Sequence, residues 1–595
     1  GALAGIELAY SGVNGSNLYT KEVPRGPMSS PILTFYKDPV STRAMDRQDI
    51  RDLRAWHRAA YRRAKTAGFD VIELYGAHGF GIIQHFLSPL TNQRSDDYGG
   101  SLKNRARLLY ELLSDAKDEV GDTMAIGVRL SLHEAGGLEN AEVRELLALH
   151  GELPDLWDFG HGSWEDCSGP SRFVEEGAQE PLVAGLKTLT SKPVVGVGRF
   201  TSPDAMVAQV KRGVLDFIGC ARPSIADPFI PKKIDEGRVD DIRECIGCNI
   251  CITGDMTMSI SRCTQNATFM EEWRRGWHPE KFASRGDSET VLVIGAGPAG
   301  LEAARVAGMR GYEVALAEAE GELGGRVRLE SRLPGLATWG RVRDYRMHQI
   351  GQMPNVNSYL GSRLSAQEVL EFGFQHVAVA TGARWRRDGV ARHNLRPIPL
   401  DTTISTLTPD DLMGGARPRG RQVLLYDDDH YYMGGVLAEL LVREGCTVTL
   451  VTPSHLVSEW SINTLEQHRI QKRLLELGVT IITSHGLSRV EAGGVQLNCT
   501  FTGRLQEHAC DAVVLVTARL PTDTLWRQLL ARQSEWSEAG IRSIQRIGDV
   551  DAPAPIAWAT YAGHRFGREL DEMRDPEALS FRREIAELAP PDLHV

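Results

Sequence analysis

Short apolar runs alternate with amphipathic stretches along the first 220 residues. Runs at 4–8, 71–75, 125–130, 156–159, 193–197 and 216–219 read as strands, and 50–67, 105–120 and 203–212 as helices. Alternation of this size predicts a parallel sheet, closed as a barrel or open. A second alternation starts at Val291 and carries two Gly-rich turns, near 295 and 434. Residues 271–290, polar and charged, read as a linker.

Two turns near the end of the first alternation suit a phosphate. Gly198-Arg199 follows one strand, and Ala221-Arg222 follows the next. Backbone N–H groups with a basic residue after them can cradle an anion, and in (β/α)8 barrels that site lies after strands seven and eight. Two ordinary turns with solvated arginines are the alternative. If these are strands seven and eight, run 4–8 is the third. The chain, which starts at Gly1 without Met, is then expected to be an N-terminally truncated piece of a longer protein, with about six barrel strands present.

Composition narrows the classes. A length of 595 residues suggests about three or four domains. A net charge of −11 argues against a nucleic-acid or anionic-membrane partner. No apolar run reaches the ~18 residues of a membrane span, and no leader is visible, so a cytoplasmic location is expected. Four of the nine cysteines, Cys245, Cys248, Cys251 and Cys263, are spaced C-x2-C-x2-C-x11-C. Four thiolates are the usual ligands of a [4Fe–4S] cluster. Zinc, which prefers two separated C-x2-C knuckles, and free thiols are the alternatives.

In the second alternation a strand runs into Gly295-Ala-Gly297-Pro-Ala-Gly300, and Glu318 follows at the end of the next strand. Strand, G-x-G-x-x-G turn, helix and acid predict a dinucleotide site, with pyrophosphate at the helix N-terminus and Glu318 on the ribose. Gly324-Gly325-Arg326 and Gly548-Asp549 are typical of flavoprotein reductases with two dinucleotide lobes. The second fingerprint is broken. Asp427, Asp428 and Asp429 stand where a pyrophosphate would need bare N–H groups, so a nicotinamide cofactor should bind badly there.

A barrel, a four-cysteine segment and a Rossmann pair in this order resemble the trimethylamine dehydrogenase branch of the old yellow enzyme superfamily. That branch includes dimethylamine and histamine dehydrogenases and 2,4-dienoyl-CoA reductase. The resemblance rests on Ala221-Arg-Pro-Ser-Ile-Ala-Asp-Pro228, Cys245 to Cys251, Cys263-Thr-Gln-Asn266 and Arg275-Gly-Trp-His-Pro-Glu280. It implies an α/β chain. A TIM barrel at 1–240 binds FMN, and 241–288 holds the cluster and linker. An ADP or FAD lobe at 289–395 is followed by a degenerate NAD(P)-type lobe at 396–520 and a return to the first lobe with a tail at 521–595.

The resemblance also implies roles. Glu7 matches an acid beside the flavin ring, and Arg129 matches an arginine at the flavin N1–C2 edge. Gly198, Arg199, Ala221 and Arg222 match the FMN phosphate turns. Tyr75 and His78 match a substrate-side pair, with Asp166 as the accompanying acid and Cys167 competing for that place. Trp164 matches an aromatic cage wall. Asp255 replaces a cage tryptophan of the trimethylamine enzyme, as in histamine dehydrogenases. Tyr431 matches an acceptor-docking residue or is an ordinary exposed tyrosine. The pattern is closest to histamine dehydrogenase. The implied reaction is oxidative deamination of histamine or a similar primary amine to aldehyde and ammonia. Electrons pass from FMN to [4Fe–4S] to an acceptor such as electron-transferring flavoprotein, and a homodimer is expected. Dimethylamine or trimethylamine dehydrogenation, and NADPH-dependent dienoyl-CoA or enoate reduction, are the alternatives.

Overall fold

The computed structural model describes residues 2–15, 20–33, 38–572, 577, 579 and 581–583. The chain forms two compact units. One is Gly1–Gly169 with Val174–Ala221, and the other is Pro170–Phe173 with Arg222–Val595.

The first unit is built on a six-stranded sheet, with a small two-stranded one beside it in sequence, Arg25–Gly26 paired with Arg43–Ala44. The six strands are β1 (Gly5–Leu8), β2 (Val71–Gly76), β3 (Ala125–Ser131), β4 (Leu156–Gly160), β5 (Val194–Gly196) and β6 (Phe217–Ile218). All are parallel and hydrogen-bonded in chain order, as the apolar runs predict. Side chains alternate along β2, so Ile72 and Leu74 are buried on one face while Glu73 and Tyr75 take the other. Register then sets the site. Glu7 pairs with Glu73, Tyr75 with Arg129, and Arg129 with Asp158. One sheet face therefore collects three acids and an arginine.

Helices between the strands cover the sheet. Helix α1 (Arg47–Ala67) starts at a capping box made by Asp46 and Asp49 and stops at Gly68, whose φ of +83° only glycine takes without strain. Ile50, Leu53, His57, Tyr61 and Ala64 form its buried stripe, at the three- and four-residue spacing of one helix face. Helices α2 (Arg107–Val120) and α3 (Pro203–Lys211) complete the expected set.

After Pro170–Phe173 the second unit takes up the chain again at Arg222. Charge pairing ties these residues to the segment beyond 240. Lys233, 2% exposed, bonds Asp227 at 2.8 Å and Glu280 at 3.2 Å, and Asn266 donates to the Ile225 carbonyl. Residues 271–290, read as a linker, are anchored at a few points and mostly exposed between them. Trp277 is buried beside Tyr561, and Ser288 is buried too.

Two further parallel sheets follow. The first has order β9-β8-β7-β10-β16, with β7 (Thr290–Ile294), β8 (Glu313–Ala317), β9 (Val356–Tyr359), β10 (His376–Val379) and β16 (Ser543–Arg546). The other has order β11-β15-β12-β13-β14, with β11 (Ser405–Leu407), β12 (Gln422–Asp427), β13 (Thr447–Val451), β14 (Thr480–Ile482) and β15 (Ala512–Val516). Helix α4 (Pro298–Met309) follows β7, and α5 (Tyr432–Arg443) follows β12. Helix α6 (Ile556–Glu569) closes the first sheet's core against α4. No helix among the described residues is long and apolar enough to cross a membrane.

Candidate functional site

The acids of the first unit gather around Arg129. Its Nη1 lies 3.0 Å from Glu7 and its Nε 3.2 Å from Asp158. Glu73 faces the same cluster. Burial first, and then the nearby Asp158 charge, raise its carboxyl to about 8. Burial raises Asp158 to about 6 despite Arg129. Three carboxylates cannot all ionise around one guanidinium out of water, so one proton stays in the cluster at neutral pH. Glu7 and Arg129, expected at a flavin edge, thus lie in a larger group. Glu73 and Asp158 escaped sequence reading, although a charged residue inside each apolar strand was the available signal.

Tyr75 and His78 come together. The phenol oxygen and His78 Nδ1 are 2.7 Å apart. His78 holds a φ of +59°, in the left-handed region, and its N–H donates to Ser131 Oγ at 2.9 Å. Burial, helped by the Arg129 charge, lowers the imidazole to about 3, so it is neutral at working pH. Trp164 makes an edge contact with Phe80, ring centroids 5.9 Å apart.

Asp166 is not brought to this pair. It is exposed and caps its own short helix, Trp164–Cys167. Its carboxylate takes the Ser163 hydroxyl at 3.0 Å and lies 3.9 Å from His161. Helix capping thus occupies the acid expected to accompany Tyr75 and His78. Cys167, one residue on, is the side chain near the pair: its Sγ and His78 Nε2 both lie against Gly160.

Of the four phosphate-turn residues, Gly198 and Arg199 are shaped by the backbone. The Gly198 carbonyl accepts from Gly177 N at 2.8 Å, a methyl on Gly198 would meet the Phe200 ring at 3.1 Å, and Arg199 has a φ of +57°. Ala221 opens a short helix. Arg222 belongs to the second unit, where its guanidinium donates to Asn249 Oδ1 at 2.5 Å, so it is tied to the cysteine loop.

That loop is well anchored. Ile246, Cys248 and Ile250 share a core with Trp339, Tyr432 and Met433. Ser171 receives the loop from the other side. Its N–H donates to Gly247 O at 2.9 Å and its hydroxyl to Ile246 O at 2.7 Å. Gly247, φ +62°, turns the chain so that its N–H points at Cys245 Sγ, 3.3 Å away. Burial pushes the Cys248 thiol up to about 12 and Cys263 to about 11, and raises Cys251 well above the usual range, each helped by neighbouring cysteines. Cys248 is buried and Cys245, Cys251 and Cys263 are half-buried, close enough to feel one another's charge, so a cationic centre bound there would favour their thiolates. Four thiolates at this spacing are the usual ligand set of a [4Fe–4S] cluster, and these four residues are the ones that would hold it.

The Rossmann turn opens on a cavity of about 1200 Å³ within the second unit. Gly295 has a φ of +101°, and a Cβ there would strike Ala380 O at 2.5 Å, while a Cβ on Gly300 would strike Gly295 O. Gly297 meets nothing within 4 Å and faces open space. Glu318 lines the cavity, with one carboxylate oxygen on Ala296 N at 2.8 Å and the other on Glu320 N at 2.9 Å. Arg326 also lines it. Its Nη1 is buried and has no hydrogen-bond partner among the described residues, which suits a pyrophosphate oxygen. Asp549 is held by Arg519 at 2.6 Å. These are the residues a bound ADP or FAD would meet.

The second lobe carries its own buried acid, Asp427, whose carboxyl is raised to about 7 by burial. Asp427, fully buried, accepts N–H bonds from Asp429 and His430, each at 3.2 Å. Its other oxygen abuts the first turn of α5, where a Cβ on Gly434 would collide with it. A carboxylate thus takes the helix-terminal place that a dinucleotide pyrophosphate uses. Tyr431, expected as an exposed docking residue, is packed between Tyr432 and Trp460 with ring centroids 4.6 Å from each. Asp255 is exposed on the short helix Thr253–Thr257 of the second unit.

A six-stranded parallel (β/α) unit followed by two dinucleotide-type lobes defines a flavin oxidoreductase of the old yellow enzyme type. Residues 1–241 match the NADH:flavin oxidoreductase / NADH oxidase family, 293–362 an NAD(P)-binding Rossmann-like domain, and 407–511 an OYE-like second alpha/beta domain. The chain is 39% identical to dimethylamine dehydrogenase of Hyphomicrobium sp. over 98% of its own length and 84% of that protein's. The solved structure of histamine dehydrogenase from Rhizobium sp. 4-9 is 61% identical with a TM-score of 0.97, over 99% of this chain and 86% of that one. The 6-hydroxypseudooxynicotine amine oxidase of Pseudomonas geniculata is 48% identical with a TM-score of 0.92, over 96% and 86%. The chain belongs to the FMN-dependent amine dehydrogenase family that includes the dimethylamine and histamine enzymes.

Proposed function

We propose that the protein oxidatively deaminates a primary amine with a distal polar or cationic group, histamine being the leading candidate, to the aldehyde and ammonia. The observation that carries this reading is the Tyr75–His78 pair, 2.7 Å apart and electrically neutral, beside the Arg129 acid cluster. The likeness to a histamine dehydrogenase at 61% identity supports it. Bound FMN would take two electrons and the α-hydrogen of the amine, and a [4Fe–4S] cluster on Cys245, Cys248, Cys251 and Cys263 would pass electrons singly to an acceptor protein of the electron-transferring flavoprotein kind.

The chain's own groups then have defined work. Only an amine with a free lone pair can be oxidised, so the site must favour the deprotonated substrate. His78, neutral and hydrogen-bonded to Tyr75, offers a proton acceptor without placing a cation beside the amine. Arg129 supplies positive charge where anionic charge would build on the flavin edge. Asp255, assigned on its chain position, selects substrates with a second basic group. ADP is the proposed occupant of the Rossmann cavity, with FAD as the alternative, and the enzyme is proposed to work as a homodimer. The test is amine-dependent reduction of the holoenzyme under anaerobic conditions, with histamine, dimethylamine and trimethylamine compared. Bleaching of the flavin by histamine supports the reading; no bleaching by any of the three overturns it.

A further inference from the structure

Gly160, the last residue of β4, sits where two side chains meet. A methyl placed on it would touch His78 Nε2 at 3.1 Å and Cys167 Sγ at 3.6 Å. The thiol and the imidazole therefore flank one point, which stays open because position 160 has no side chain. On the far side of the thiol, Gln179 Nε2 donates to Cys167 Sγ at 3.8 Å. Gln179 is 6% exposed. Its Oε1, and His78 Nε2 likewise, is buried with no hydrogen-bond partner among the described residues. Two buried polar atoms left open on either side of one thiol mark a place where a polar ligand group belongs, since such atoms are normally satisfied.

Resting on the amine-oxidising reading above, we propose that Cys167 is the third partner of the Tyr75–His78 pair, and that Gln179 Oε1 and His78 Nε2 are the two atoms that receive the substrate's amino group. Cys167 acts as a positioning residue: it holds Gln179 in place and gives the pair an uncharged wall. A carboxylate at that place would stabilise the imidazolium, and a thiol does not. The charged and titratable groups facing His78 are Tyr75 on its own loop, Arg129 from β3 and Cys167 from the short helix, with Glu7 beyond Tyr75. Among these only Arg129 moves the imidazole strongly, and it opposes protonation.

The experiment compares Cys167→Asp, Cys167→Ser, Gln179→Leu and Asp166→Asn in the holoenzyme. Two readouts are followed: titration of His78 by NMR of imidazole-labelled protein, and the pH profile of kcat/KM for histamine. Cys167→Asp is expected to raise the His78 titration and the acid limb by about one pH unit or more. Cys167→Ser and Asp166→Asn should leave both where they are. Gln179→Leu should raise KM about tenfold or more with the limb unmoved. The proposal falls if Asp166→Asn moves the His78 titration, or if Cys167→Asp does not. The NMR readout needs no turnover, so it separates failure of this proposal from failure of the amine reading.

Discussion

Tyr75 Oη and His78 Nδ1 stand 2.7 Å apart across a turn whose last residue is held at a φ of +59°. The backbone strain and the hydrogen bond occur at the same residue, which is typical of a group fixed for chemistry. Tyr75→Phe and His78→Gln should each slow amine-dependent flavin reduction by about 10²–10⁴-fold, the usual worth of positioned proton transfer. Reoxidation by an artificial acceptor should be untouched. Stopped-flow of the two half-reactions checks this, and equal slowing of both would refute the assignment.

Neither NADH nor NADPH should reduce the protein, because Asp427 fills the anion place at α5. Nucleotide titration with ADP-ribose should show one site at most, the Rossmann cavity. A second site would contradict the reading, as would NADPH consumption.

Glu73 predicts a pH effect on stability. Its folded-state carboxyl sits near 8, above the ordinary 4.5. The folded protein therefore keeps a proton that the unfolded chain has released, and stability falls as pH rises from about 4.5 to 8. The loss has a slope of at most about 1.4 kcal/mol per pH unit, reduced by coupling to Asp158. Glu73→Gln should gain thermal stability relative to the parent between pH 5 and 8 and no further beyond that. Melting curves across this range decide it.

Iron and labile sulfide should each approach about four per chain. Cys251→Ser should lower both and leave a flavin that amine still bleaches but that passes electrons on poorly. Stoichiometric zinc in place of iron would remove the cluster from the scheme.

Asp255→Trp should shift kcat/KM away from histamine and toward trimethylamine. Exposure keeps the carboxylate's contribution at the low end, about 1.5 kcal/mol or roughly tenfold. An unchanged ranking would free Asp255 of the selector role.

The apolar runs placed all six strands of the first sheet to within one or two residues, and the Gly295 turn was readable because Gly295 and Gly300 each answer a collision while Gly297 faces open space. Pairing could not be read in the same way. That Glu7, Glu73, Arg129 and Asp158 share one face depends on register between strands 29 to 66 residues apart, which no local pattern carries. Asp166 and Cys167 differ by one position on a single helical turn. One caps and the other faces inward, and only the helix start at Ser163 decides which. The cysteine spacing was legible, but its bracing by Ser171 was not, since seventy-five residues separate them.

That brace has a consequence for anyone dividing the protein. Residues Pro170–Phe173 belong to the second unit although the chain around them belongs to the first. Arg172 makes a 3.1 Å ion pair with Glu439, both nearly inaccessible, and Phe173 packs on the core that holds Cys248. The two units are thus stitched, not strung: the polypeptide crosses three times, and no single scission yields both halves whole. A fragment beginning at Arg222 would leave Glu439 without its Arg172 partner and Gly247 without its Ser171 donor, so the cysteine loop cannot be harvested intact from the C-terminal part of the gene.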